Sequence, residues 1–441
     1  KDYKVKYTYA DGKETNSTSK TVSNLYNTFN DKEVATYSYS YDENGNITQI
    51  RLGKDIINKY IYDDKNQLKQ EYDYLHNYYI NYSLDGNGNI HSVDTQALDT
   101  DGLPTGSPRG NIYYYDDKQW CDKLTGVNGV GNITYDEIGN PLNYRDGMSF
   151  TWRNGRWLST TTLSDGTKVT YRYNANGMRT QKKVGSKVTD YYYDSNNNLI
   201  AQKTDNATLF FYYDTENSPV ALSYNGKMFY YVKNLQGDIV KILDEDGQEI
   251  ADYVYNAWGD IISQSDDELA SINPLRYRGY VYDEDTTMYY LQTRYYDPTT
   301  GRFINADDTN MLMLAPFSVS VLDTNLMTYS RNNPINIFDP TGYSPRWVHL
   351  AKAICKIGKS LAAIVSAIAK GFVRSALGSF TARALGFIIG KAIFYFSFGQ
   401  WWGVVINVAI IVTLALRAKS ILFDIPIGLW HLKQFFHHTH K

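Results

Sequence analysis

The chain has 441 residues, with 44 Lys+Arg against 47 Asp+Glu, two cysteines and 41 tyrosines, a length that leaves room for roughly two to four domains. Cys121 and Cys355 are too few and too far apart for a disulfide scaffold or a Cys-based zinc site, and the apolar content is too high and too well patterned for a disordered chain. The net charge of −3 is an average of two unlike parts: residues 344–441 hold twelve Lys+Arg and one carboxylate, Asp424, for +11, which leaves −14 on residues 1–343. An acidic, Tyr-rich body joined to a basic, apolar tail argues against one uniform enzyme fold. The opening stretch KDYKVKYTYADG has neither an initiating Met nor a signal peptide and starts inside a strand-like pattern. It reads as the C-terminal portion of a longer protein, with any targeting region upstream.

Residues 1–272 read as a repeat array. Landmarks at Tyr41, Tyr62, Tyr82, Tyr115, Tyr135, Trp152, Tyr173, Tyr193, Tyr213, Tyr231 and Tyr255 are separated by 21, 20, 33, 20, 17, 21, 20, 20, 18 and 24 residues, a period near twenty. Most of them are followed directly by Asp or Asn. Before them aromatic residues alternate, as at Tyr37, Tyr39 and Tyr41, and period two predicts strands. The turns read DENGN (42–46), DGNGN (85–89), DEIGN (136–140), NANGM (174–178) and NAWGD (256–260), in which Gly supplies positive φ and Asp or Asn caps nearby amides. The long interval over residues 83–114 reads as an inserted loop.

Units such as YDENGNI (41–47) and YDEIGN (135–140) resemble the YD repeats of Rhs proteins, of the C component of insecticidal toxin complexes and of teneurins. Residues 273–343, with YRGYVYD, YYLQTRYYDPTTGRF, RNNPIN and DPTGY, resemble the Rhs-associated core region of the same polymorphic toxin family. The resemblance implies a mainly β fold, in which a β-sheet spirals into part of a hollow shell that the core region closes. A shell has no free sheet edges along its length, and tyrosine suits its wall because the ring packs while the hydroxyl hydrogen-bonds.

The resemblance also implies a site. In the family the chain cuts itself just after the D-P-x-G-apolar motif by aspartyl-protease-like chemistry. Carried over, the motif is Asp339-Pro340-Thr341-Gly342-Tyr343, the cut falls between Tyr343 and Ser344, the second aspartate is Asp307 at the end of GRFINAD, and the arginine is Arg294. Two carboxylates sharing a proton can act as base and acid, and a guanidinium can hold the pair. Tyr343 stands where the family usually has Leu, and residues 309–322 make a longer connection than usual between the aspartates. From spacing alone, Asp339-Pro-Thr-Gly is equally a type I turn, as is Asp297-Pro-Thr-Thr-Gly, and Asp307 beside Asp308 is equally a solvated pair.

In residues 344–441, which the family uses for variable toxin cargo, the 25 uncharged residues between Lys391 and Arg417 are long enough to span a bilayer as a helix. Trp401, Trp402, Val404, Ile410 and Ile411 are the candidate inserting side chains. Upstream, Ile354, Ile357, Leu361, Ile364, Val365, Ile368 and Phe372 recur at helical spacing among Lys356, Lys359, Lys370 and Arg374, which predicts a basic amphipathic helix. The expectation is a mostly α-helical, membrane-active domain, pore-forming or depolarising. A small soluble helical bundle fits the same stripes. A basic nuclease is the alternative effector, since +11 would bind phosphates, but Asp424 is a lone carboxylate and the His437, His438, His440 tract is a weak metal signal. A third alternative is a non-enzymatic surface or adhesion module. No cofactor or metal is expected. The partners implied are the protein's own shell around its tail, an immunity protein and a target-cell membrane rather than nucleic acid. The setting implied is a bacterial secreted or surface protein whose effector reaches another cell.

Overall fold

A computed structural model describes residues 2–11, 18–308 and 321–343. Among these residues the fold is mainly β, in three antiparallel sheets whose strands are hydrogen-bonded in strict chain order. The first sheet has eleven strands, from Tyr3–Asp11 to Val130–Gly131, and the second has twelve, from Ser149–Arg153 to Ile261–Gln264. The third has four, Val281–Asp283, Met288–Leu291, Arg294–Asp297 and Arg302–Phe303. One short helix, Glu268–Ile272, precedes it, and Asp267 caps it by accepting from the Leu269 amide at 2.7 Å. The expected helical tail lies outside the described residues.

The alternation places one face of each strand inside. In Lys32–Tyr41, Ala35, Tyr37 and Tyr39 are buried while their neighbours are not. The repeat then ends in a compact turn with a fixed bonding scheme. Asp42 Oδ1 accepts from the amides of Asn44 (2.9 Å) and Asn46 (2.8 Å), and Asp42 Oδ2 accepts from the Asn46 side chain at 2.8 Å. Gly45 sits at φ +84° within it, and Asn66 takes the same place at φ +61° one repeat later. A bulge between Ser40 and Tyr41 redirects the strand at this point.

The tyrosine before the Asp has a separate task. Its hydroxyl donates to the first carbonyl of the strand that follows the preceding turn: Tyr62 to Ile47 (2.7 Å), Tyr193 to Arg179 (2.8 Å), Tyr213 to Leu199 (2.9 Å) and Tyr255 to Ile239 (2.9 Å). The closing Asn links one turn to the next. Asn46 Nδ2 donates to Asn66 Oδ1 at 2.8 Å, and Asn198 Nδ2 to Asn217 Oδ1 at 2.9 Å. The twenty-residue period is therefore a chain of turns tied side to side.

The structure corrects two expectations here. Residues 83–114 do not form a loop: Ile90–Leu98 and Pro104–Tyr114 pair as a hairpin closed by the same carboxylate turn, with Asp99 Oδ1 accepting from Asp101 and Leu103 amides at 2.9 Å each. The aromatic landmark is replaced by Leu98, and exposed residues such as Gly106 to Gly110 need no apolar alternation. Tyr82 and Tyr231 are also not the turn-opening residues. Leu84 and Lys233, two positions on, occupy the bulge before Asp85 and Asn234, while Tyr82 and Tyr231 are buried one strand-step earlier.

One apolar cluster spans all three sheets. Phe29 meets Tyr230 edge-on at 6.0 Å, and the Ala257 amide donates to Glu71 of the first sheet at 3.0 Å. The third sheet is buried on both faces and joined to the second-sheet region by ion pairs, Arg145 with Asp297 and Arg179 with Asp283. Arg179 lies within 5.8 Å of the rings of Tyr171, Tyr191, Tyr290 and Tyr295. A run of asparagines then reads successive turns of the first sheet. Asn336 accepts from the Ile47 amide (2.7 Å), Asn333 donates to Asn46 (2.9 Å), Asn332 to Gln67 (2.9 Å) and Asn325 to Asn89 (2.9 Å). Residues 325–336 thus lie along a row of turns.

The carboxylate turn should be worth more than an ordinary surface residue. Asp194→Ala removes bonds to the Asn196 amide, the Asn198 amide and the Asn198 side chain, and should lower unfolding free energy by about 1–3 kcal/mol in a denaturant titration. Tyr193→Phe, losing one bond, should cost about 1 kcal/mol.

Candidate active site

Arg294 opens the strand Arg294–Asp297, all four residues of which are buried. At 3% exposure its guanidinium must find every partner inside the protein. Nη2 lies 3.3 Å from Oδ2 of Asp307 and 3.3 Å from Oδ2 of Asp339. Nη1 donates to the Leu326 carbonyl at 2.9 Å, Nε donates to the Gly342 carbonyl, and the guanidinium stacks 3.5 Å from the centre of the Phe303 ring. One side chain therefore gathers two carboxylates and the backbone beside Tyr343.

Each aspartate is held independently. The Asp307 amide donates to the Leu326 carbonyl at 2.9 Å, and the Asp308 amide donates to Asp307 Oδ1 at 2.8 Å. Asp339 is fully buried, its amide donates to the Tyr280 hydroxyl at 3.1 Å, and that hydroxyl lies 3.1 Å from Tyr329 Oη. Burial pushes Asp339 up to about 7; Arg294 pulls the other way, and the charge of Asp307 adds to the rise. Two carboxylates on one guanidinium, with one of them proton-bearing near neutrality, are an arrangement chemically able to act as an acid–base pair.

The segment after Asp339 docks on the strand end. Thr293 donates to the Thr341 carbonyl through its amide (3.2 Å) and its hydroxyl (2.8 Å). Gly342 has φ +72°, and a Cβ there would lie 2.6 Å from the Leu291 carbonyl oxygen, so only glycine lets the chain come this close. Tyr343 follows at 41% exposure.

A family model described as Teneurin YD-shell matches residues 202–335. A tRNA3(Ser)-specific nuclease WapA of Bacillus spizizenii is 34% identical over 278 residues, covering 62% of this chain and 11% of that protein. The tRNA nuclease WapA of Bacillus subtilis strain 168 is 35% identical over the same shares, so the chain spans about a tenth of the length of these curated relatives. The crystal structure of TcdB2-TccC3-Cdc42 superposes with a TM-score of 0.59 at 19% identity, over 77% of this chain and 18% of that one. The chain carries an Rhs/YD-repeat shell.

Within this Rhs/YD-repeat shell the structure brings Asp307, Asp339 and Arg294 together and sets Tyr343 next to the carbonyl Arg294 holds. Asp339-Pro-Thr-Gly does not stand as a solvated turn, because Asp339 is 0% exposed. Asp297-Pro-Thr-Thr-Gly does form the turn between Arg294–Asp297 and Arg302–Phe303, with Asp297 Oδ1 accepting from the Thr299 amide at 3.1 Å, and the buried Asp297 side chain also accepts from Arg145 Nε at 2.6 Å and Nη2 at 2.9 Å. Ser344, Trp401, Trp402, Val404, Ile410 and Ile411 lie outside the described residues. Among the described residues no helix is long and apolar enough to cross a membrane, and no group of three or more His, Cys, Asp or Glu side chains is placed to hold a metal ion. Sequence reasoning passed over Tyr280, Tyr329, Thr293 and the Leu326 carbonyl; Tyr280 and Thr293 lie in the quoted YRGYVYD and YYLQTRYYDPTTGRF runs, but nothing in their spacing pointed to Asp339.

Because the folded state keeps a proton on Asp339 that an unfolded carboxyl (ordinary value 3.8) has released, stability should fall as pH rises from about 4 to about 7. The slope from this group is up to about 1.4 kcal/mol per pH unit. Urea titrations across that range should show a shallower decline for Asp339→Asn than for the wild type; equal slopes would place the proton elsewhere.

Proposed function

We propose that the chain is a container with its effector, and that the shell part cuts the backbone between Tyr343 and Ser344 to free residues 344–441. The observation that carries this is the single buried guanidinium of Arg294 shared by Asp307 and Asp339. Asp307 acts as base on a water, whose oxygen attacks the Tyr343 carbonyl carbon. Asp339 gives its proton to the carbonyl oxygen; Asp307, which now holds the proton taken from water, passes it to the Ser344 nitrogen as the C–N bond breaks, and Asp339 takes a proton back from the hydrated carbon as the new carboxyl forms. Arg294 holds both carboxylates and, through the Gly342 carbonyl, fixes the backbone one residue before the scissile bond, so that little orientation freedom is left to lose.

On expression the full chain should yield a C-terminal fragment of 98 residues beginning at Ser344. Asp339→Asn and Asp307→Asn should each slow its appearance by about 100-fold or more, and Arg294→Lys, which loses the planar fork, by about tenfold or more. Native chain that stays intact, or cleavage that survives Asp339→Asn, would contradict the reading.

For the freed effector, membrane activity is the first reading. It is supported by the 25 uncharged residues between Lys391 and Arg417, the basic amphipathic stretch before them and the scarcity of carboxylates for hydrolysis. A nucleic-acid-directed effector is the second, favoured by the names of the WapA relatives and by a match of 32% identity over 83 residues to the double-stranded DNA deaminase toxin A of Burkholderia cenocepacia. Delivery to another cell and a cognate immunity protein go with either. The released fragment should empty dye-loaded liposomes and leave RNA and DNA intact; degraded or deaminated nucleic acid with sealed liposomes would favour the second.

A further inference from the structure

Arg156 lies in the turn between Ser149–Arg153 and Trp157–Thr162, far from the core region in sequence. Its Nη1 donates to two carbonyls, Ile138 at 3.0 Å and Ala306 at 2.6 Å. Ile138 belongs to the DEIGN turn that Asp136 closes, and Ala306 immediately precedes Asp307. A second tie runs beside the first, from the Ala306 amide to the Gly139 carbonyl at 3.1 Å. The backbone carrying Asp307 is therefore strapped to a repeat turn by one amide and one guanidinium. That guanidinium is surrounded by the charges of the site: Asp308, Asp307 and Asp136 favour its ionised form, while burial above all, together with Arg294, opposes it.

We infer that Arg156 is a positioning residue for the proposed self-cleavage, setting Asp307 in place and supplying the second cation beside it. The inference rests on the cleavage reading above. Its consequence is an order of events. Asp307 reaches its working place only when the DEIGN turn and the 149–162 hairpin have docked on the core region, so the cut follows assembly of the container and the effector is not freed before its enclosure forms. Within residues 273–343 alone the strap has no anchor.

The test is the pH profile of cleavage by the full chain, refolded from denaturant into buffers from pH 4 to 9, for wild type, Arg156→Lys and Arg156→Gln. Lysine keeps charge and donors; glutamine keeps a donor for the Ala306 carbonyl but no charge. Since a cation beside a carboxylate favours its ionised, basic form, Arg156→Gln should move the low-pH limb of the profile upward by about one unit, slowing cleavage by up to about tenfold on the acid side of that limb, while approaching the wild-type rate on the plateau above it. Arg156→Lys should stay within about threefold of wild type throughout. A glutamine profile that superimposes on the wild type overturns the inference. So does a lysine variant as slow as the glutamine one at every pH, or loss of cleavage at every pH together with a collapsed melting temperature in the Asp339→Asn background, which would assign Arg156 to folding. Wild-type chain that never cleaves would instead defeat the cleavage reading itself.

Discussion

In most turns of the DENGN type, as at Asp42, an Asp or Asn side chain accepts from the amides two and four residues ahead, and the chain commonly enters that turn through a bulge. The residue in front is usually tyrosine, because its hydroxyl can reach the carbonyl that opens the strand one repeat earlier. Neither bond is strong alone, at about 1 kcal/mol net. Together they fix where each strand ends, and the Asn–Asn links between turns fix the spacing of neighbours. The core region depends on that spacing: Asn336, Asn333, Asn332 and Asn325 meet Ile47, Asn46, Gln67 and Asn89 in order only because the turns form a row.

With the core region so placed, three charged side chains end up in the interior. One guanidinium beside two ionised carboxylates would leave a net negative charge away from water, which is costly. The cost falls if one carboxylate keeps its proton, and the more deeply buried one, Asp339, is pushed up to about 7 chiefly by burial. The electrostatics of folding and the needs of an acid–base pair thus coincide: the arrangement that relieves the buried charge also supplies a proton donor. The surrounding tyrosines, Tyr280 and Tyr329, add hydrogen-bonding surface without adding charge.

Much of this was legible in the sequence, for reasons that can be located. The period and the alternation of Tyr37, Tyr39 and Tyr41 reveal strands because side-chain direction alternates along them. The reading weakened where the aromatic landmark was replaced, at Leu84, Leu98 and Lys233, since the turn needs its Asp or Asn more than its tyrosine. Arg294, Asp307 and Asp339 were findable from a motif. Arg156 was not, because it acts on backbone carbonyls 18 and 150 residues away, and carbonyls leave no mark in a sequence. The same holds for Leu326, whose side chain says nothing of the two bonds its carbonyl accepts. For residues 344–441, composition alone speaks.

The central claim is that a water activated by the Asp307–Asp339 pair breaks the bond between Tyr343 and Ser344. Refolding the chain in water enriched in oxygen-18, followed by mass spectrometry of the C-terminal peptide of the shell fragment, tests it directly. The account predicts a peptide ending at Tyr343 with the heavy oxygen in its new terminal carboxylate. A peptide ending elsewhere, or the label appearing on an aspartate side chain rather than on Tyr343, would contradict it.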